Sequence, residues 1–143
     1  RLRRLRAIKT LGLVPEALPL LRTALEDYDP AVAFWAAVSL GHLRDGSPET
    51  RSALLKTLER EELSAKLGAA RALVLLGHTD QAMPVLLQTL AHENEYARLS
   101  AVETLEIAGL EHPGVREALE GVMNEKETYP RRIAATVLGV KIR

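Results

Sequence analysis

The 143-residue chain contains no cysteine. A disulfide, a thiolate metal site and a cysteine nucleophile are thereby excluded, and the chain suits a reducing or an oxidising compartment alike. Aromatic residues are only 3% of it, too few for a β-sandwich built on ring packing. Net charge is also lacking, because 19 basic and 19 acidic residues cancel, whereas a dedicated nucleic-acid binder carries a basic excess. No apolar run approaches the length of a membrane span. Arg1 to Arg6 is basic but has no apolar core after it, so no signal peptide is legible. No His-Glu-x-x-His pair, phosphate-cradling glycine loop or Gly-x-Ser-x-Gly elbow occurs.

What the chain does have is leucine and alanine, within a hydrophobic share of 47%. They are periodic. A small residue with leucine four positions later occurs as Ala7 and Leu11, Ala36 and Leu40, Ala69 and Leu73, Ala101 and Leu105, and Ala134 and Leu138, at intervals of 29, 33, 32 and 33 residues. Residues four apart share a helix face, so each pair marks a first helix with a small-residue stripe. Leucine-rich stretches between them hold a second helix: Leu18, Leu21 and Leu25; Leu54 and Leu58; Val85, Leu86 and Leu90; Val115, Leu119 and Val122. The Glu16–Leu21 stretch aligns with Gln81–Leu86, and Pro15, Pro48 and Pro113 hold one slot. Neither helix can bury its apolar face alone, but stacked repeats bury a continuous core. The fold class read from this is all-α, an α-solenoid of stacked antiparallel helix pairs with a period of about 33 residues. One domain spans residues 1–143, with repeats at about 1–28, 29–61, 62–93 and 94–127 and a final half repeat at 128–143.

Local signals place the boundaries. Asp29 before Pro30, and Ser47 before Pro48, read as N-caps followed by proline at the first helical position. Gly77 and Gly109 read as helix stops. First helices are expected over about Arg3–Leu13, Ala65–Leu76, Glu95–Ala108 and Tyr129 to about Ile142. Pro19 and Pro84 align, which predicts a shared bend. The slot of Asp29 holds Glu62, Asn94 and Glu127, and a neighbouring slot holds Arg4, Lys66, Arg98 and Arg131. Acceptors and cations so placed predict a ladder of bonds between repeats. Leu40, Leu73, Leu105 and Leu138 hold one inward slot and are expected to be buried.

Asp27, Asp29, Pro30, Val32, Ala36, Ala37, Leu40 and Gly41 resemble the HEAT-repeat signature, with Arg98 in the fourth repeat where Ala33 stands in the second. The resemblance covers essentially the whole chain. It implies a curved stack with the second helices on the concave side, and the work of holding partners. A narrower stretch, 29–40 together with 94–101, is similar to the helical C-terminal extensions of some bacterial sulfatases, with Phe34 to Ala37 as its specific part. That likeness implies an accessory region of a sulfuric ester hydrolase, because neither the nucleophile motif nor the metal-binding aspartates of a sulfatase are present. Helical repeats also have two enzymatic uses. Deoxyhypusine hydroxylase holds iron with His-Glu pairs, whose positions here are Phe34-Trp35, Leu67-Gly68 and Leu99-Ser100. Phycobilin lyases use HEAT-like repeats, but no residue set here specifies a bilin.

The expectation is a non-catalytic helical-repeat scaffold that binds a protein or another domain of its own chain, without cofactor or metal and without nucleic-acid or membrane partners. A cytoplasmic setting fits, or a periplasmic one for a sulfatase region. The chain opens on Arg1 and ends within a first helix, so it reads as a fragment of a longer protein. The candidate interaction surface is Glu16, Glu49, Lys56, Glu59 and Gln88 on second helices, with Phe34 and Trp35 on a first helix. The second-helix face is polar and mildly acidic and lacks the aromatic anchors that tight binding needs. Strong contact is therefore expected at the ends of the stack or near Trp35. The packing role open to Trp35 is to fill the space left by Gly68. His42, His78 and His112 read as exposed turn residues, and the cations from Arg1 to Lys9 as the solvated face of an end helix.

Overall fold

The computed structural model describes residues 1–124, 126 and 128–141. Among them are nine α-helices and a single 3-10 turn, with no strand. In order these are α1 (Leu2–Leu11), the 3-10 turn (Pro15–Ala17), α2 (Leu18–Ala24), α3 (Pro30–His42), α4 (Pro48–Leu58), α5 (Leu63–Leu75), α6 (Thr79–Leu90), α7 (Glu95–Ala108), α8 (Pro113–Met123) and α9 (Tyr129–Leu138). The all-α repeat architecture read from the period is the one the chain adopts. Contacts divide it into two compact units, Arg1–Ala82 and Met83–Arg143, with the boundary inside α6.

In the first unit α1 packs on α3 and α3 on α5, while α2 packs on α3 and α4 on α5. Each second helix thus lies closer to the first helix of the following repeat than to its own. Small side chains permit this. Ala33, Ala36 and Ala37 of α3, and Ala65, Gly68, Ala69 and Ala72 of α5, are all buried. Both helices are covered on most of their circumference, as helices apolar on most sides must be. In the second unit α7 and α8 both pack on α9.

One leucine slot runs through every second helix. Leu21, Leu54, Leu86 and Leu119 are each fully buried. Leu40, Leu73 and Leu105 are fully buried in the first helices, but Leu138 is only half-buried. It is the last residue of α9, which has α7 and α8 as its packed neighbours. Three buried hydroxyls bond within their own helices: Thr57, Thr89 and Thr104 donate to the carbonyls of Ala53, Val85 and Ser100 at 2.8, 2.7 and 2.8 Å. A buried hydroxyl left without such a bond would be costly.

The caps follow local chemistry. Asp29 accepts from the Ala31 N–H at 3.0 Å, Ser47 from the Thr50 N–H at 3.3 Å, and Asn94 from the Tyr96 and Ala97 N–H groups. Glu62 departs from this pattern. It precedes α5 but makes no side-chain cap, because Arg60 holds its carboxylate. Thr128 caps α9, and Glu127 lies outside the described residues. Gly77 and Gly109 stop α5 and α7 with φ of 82° and 88°. The last helix is shorter than expected, because Gly139 takes the left-handed conformation and ends it at Leu138. The aligned prolines also differ. Pro19 is near the start of α2, after the 3-10 turn, where its missing N–H costs little, whereas Pro84 lies inside α6.

Candidate functional site

The concave feature with the most developed chemistry belongs to the first unit. It is a cleft of about 400 Å³ between α2 and α4, lined by Arg22, Leu25, Glu26, Ala53, Lys56, Thr57, Glu59 and Arg60. Leu25 and Thr57 form its buried floor. Ala53, small where neighbouring repeats carry Leu20 or Val85, leaves the space open.

Four of the five charged side chains around the cleft are already matched, and Glu59 is exposed with no ion pair among the described residues. Lys56 donates to Glu26 across the opening at 2.6 Å, with both side chains exposed. That bond holds the Glu26 carboxyl below its ordinary pKa. At one end Arg22 reaches from α2 to Asp45 and to the Thr50 hydroxyl, each at 3.2 Å. Asp45 also accepts from the Ser47 N–H at 3.2 Å, the Ser47 hydroxyl at 3.0 Å, and the Thr50 hydroxyl. Burial opposes ionisation of Asp45, but these donors and Arg22 outweigh it, and its pKa falls. At the other end Arg60 donates to the carbonyls of Leu25 and Asp27 at 2.7 and 3.1 Å, and grips Glu62 through two parallel bonds. Arg22 and Arg60 thus pin successive repeats together and fix the width of the cleft. Arginine suits both places because its planar fork bonds several acceptors at once.

The chain belongs to the HEAT-repeat family. The family model for HEAT repeats matches residues 2–65 and 52–139, nearly the full length. A solved structure with the same fold is the complex of CpcE and CpcF of phycocyanin lyase from Nostoc sp. PCC7120, matched at 26% identity with a TM-score of 0.59. The match covers 85% of this chain and 52% of that one, so this HEAT-repeat chain spans about half the length of its structural relative. No curated protein matches. Neither the family model nor the solved structure supports the sulfatase likeness.

Of the residues singled out in the sequence, Lys56 and Glu59 line the cleft. Glu49 is exposed in the first turn of α4, Glu16 is exposed in the 3-10 turn, and Gln88 is exposed on α6 in the second unit. Phe34 and Trp35 are half-buried and face partners within the chain. It is Phe34, not Trp35, that occupies the space beside Gly68: a methyl there would lie 2.9 Å from the Phe34 carbonyl oxygen. Trp35 turns toward α1, with the Lys9 ammonium 3.9 Å from its ring centroid, and meets Phe34 edge-on at 5.3 Å. The packing role assigned to Trp35 is corrected accordingly.

The bond ladder also differs from the expected one. Arg4 pairs forward with Asp27 at 3.2 Å. Arg98 donates to the carbonyls of His92 and Glu93, at 2.8 and 3.0 Å. Arg60, outside the cation slot, ties the second repeat back to the first through the carbonyls of Leu25 and Asp27, and Arg44 donates to the Leu75 carbonyl of the third. Arg22 and Arg60 are the residues that sequence reasoning missed. Arg22 had a signal, since its slot holds Leu55 and Leu87 in the following repeats.

Among the described residues no three His, Asp or Glu side chains converge as a metal site requires. No helix among them is long and apolar enough to cross a membrane.

Proposed function

We propose that this chain is a protein-binding HEAT-repeat module, acting as one repeat domain, whose partner seats an apolar side chain in the cleft between α2 and α4. The observation that carries this reading is the state of the cleft itself. Its floor is Leu25 and Thr57, whose hydroxyl is already bonded to the Ala53 carbonyl, and most of its rim charges are held, through Arg22, Arg60 and the Lys56–Glu26 pair. A pocket that is preformed loses little on binding, and affinity then comes from the anchor that fills it. The anchor is contributed by the partner, which is consistent with a second-helix face that has no aromatic of its own. Trp35 is less suited to the role, because its ring already has Lys9 and Phe34 as neighbours.

A photo-crosslinking residue placed at Lys56, and separately at Trp35, tests this in the cell of origin. Adducts are expected from position 56, and filling the cleft with Ala53→Trp is expected to abolish them. Adducts from position 35 alone, unaffected by Ala53→Trp, would show that the first-helix side is the interface.

The structural match favours a second reading, in which the chain is a subunit of a lyase complex, as CpcE and CpcF are. Purified phycocyanin distinguishes the two. The lyase reading requires binding to phycocyanin, whereas the simple binding module does not.

A further inference from the structure

The neutral total of this chain conceals a strong segregation of charge. Residues 1–15 carry five cations and no carboxylate, while residues 72–125 carry nine carboxylates and two arginines. The structure shows which of these charges are occupied. Three cations near α1 have partners in the chain: Arg1 pairs with Asp29 at 2.8 Å, Arg4 with Asp27, and Lys9 lies over Trp35. Arg3 and Arg6 are exposed and make no ion pair among the described residues.

Their position in the repeat is informative. Trp35 holds the slot of Arg6 in the next repeat, and Gly68 holds it in the one after. In α3 and α5 that slot faces the preceding first helix, since Trp35 meets Lys9 of α1 and Gly68 meets Phe34 of α3. Arg3 likewise takes the slot of Val32 and Ala65, both buried. On α1 the corresponding face is uncovered and carries arginine where α3 and α5 carry residues that pack. It is bounded by two exposed leucines, Leu2 (70% exposed) in the first turn and Leu13 (81%) just beyond the helix.

The face that matches it is on α7. Tyr96 (83% exposed) and Ile107 (40%) bound an exposed stripe that includes half-buried Leu99 and the carboxylates Glu103 and Glu106. Neither carboxylate makes an ion pair among the described residues. Tyr96 and Ile107 are eleven residues apart, as are Leu2 and Leu13, and the charges between them have the opposite sign. We propose that the Leu2–Arg3–Arg6–Leu13 face of α1 docks on the Tyr96–Glu103–Glu106–Ile107 face of α7 of a second copy of this chain. Apolar ends meet apolar ends and arginines meet glutamates, which sets register as well as attraction. The contact is independent of the cleft between α2 and α4, so either proposal can fail without the other.

The test is the molar mass in solution, measured by sedimentation equilibrium on the intact chain. At low salt the mass is expected to exceed one chain and to rise with concentration. Association is expected to weaken about tenfold or more in about 1 M salt, where the screening length is about 3 Å. Arg3→Glu with Arg6→Glu should give a single-chain mass, as should Glu103→Lys with Glu106→Lys, because each variant opposes like charges. An equimolar mixture of the two variants should recover the association, since each altered face then meets its complement. The milder pair Arg3→Gln with Arg6→Gln should weaken association without reversing charge, and guards against misfolding of the reversed forms. A wild-type mass of one chain at every salt concentration, or full association of the Arg3→Gln, Arg6→Gln variant, would overturn the proposal. So would a mixture of folded charge-reversed variants that remains single-chain.

Discussion

Gly41 of α3 lies directly against Ala72 of α5: a methyl group built on Gly41 would come within 2.9 Å of the Ala72 Cα. Side chains flex to relieve such a clash, but here backbone meets backbone. The two central first helices are held at a separation that only glycine allows at this point.

Gly41→Ala is therefore expected to destabilise the first unit, although alanine is the better helix former. The helical preference favours the variant by about 1 kcal/mol, and overpacking opposes it by about 1–3 kcal/mol. A lowered urea midpoint at unchanged slope checks the sign. A raised midpoint would mean that the helices separate easily.

Leu73→Ala should cost about 2–5 kcal/mol, the range for a fully buried leucine. Leu138→Ala should cost much less, since Leu138 is only half-buried. Chemical denaturation of the two variants side by side tests the difference between slots that the repeat pattern makes equivalent.

Arg60 lowers the pKa of Glu62 to about 2, first through its hydrogen bonds and then with help from a backbone N–H. The folded value is below the unfolded one, so the pair stabilises fully above the ordinary glutamate pKa of about 4.3. That contribution is lost as pH falls toward about 2. The stability gap between wild type and Glu62→Gln should be constant near neutral pH and close within this acid window. A gap that persists at the acid end would show that the carboxylate is not the group responsible.

Trp35 is the single tryptophan of the chain, so its fluorescence reads its contact with Lys9. Lys9→Ala is expected to shift the emission and to cost about 0.5–1 kcal/mol, the range for a cation that remains solvated over a ring. Unchanged emission would place the ammonium away from the ring in solution.

The sequence by itself determined the repeat, its period and the identity of the core. Periodic leucines report a buried face directly, because each slot sees the same neighbours in every repeat; Leu21, Leu54, Leu86 and Leu119 are buried alike for that reason. Caps were equally legible at Asp29, Ser47 and Asn94, since a cap is chemistry within three or four residues of itself. The tertiary structure alone decided that Phe34, not its neighbour Trp35, meets Gly68. Adjacent helix residues point about 100° apart, so a small rotation of one helix against another exchanges their roles. It also decided that Arg60 links two repeats and that Arg98 reaches the His92 carbonyl. A guanidinium on a long side chain reaches several backbone carbonyls, and spacing along the chain does not rank them. The cleft between α2 and α4 arises from the same kind of relation. Ala53, Arg22 and Arg60 form it only where two repeats meet, at distances that no single repeat encodes.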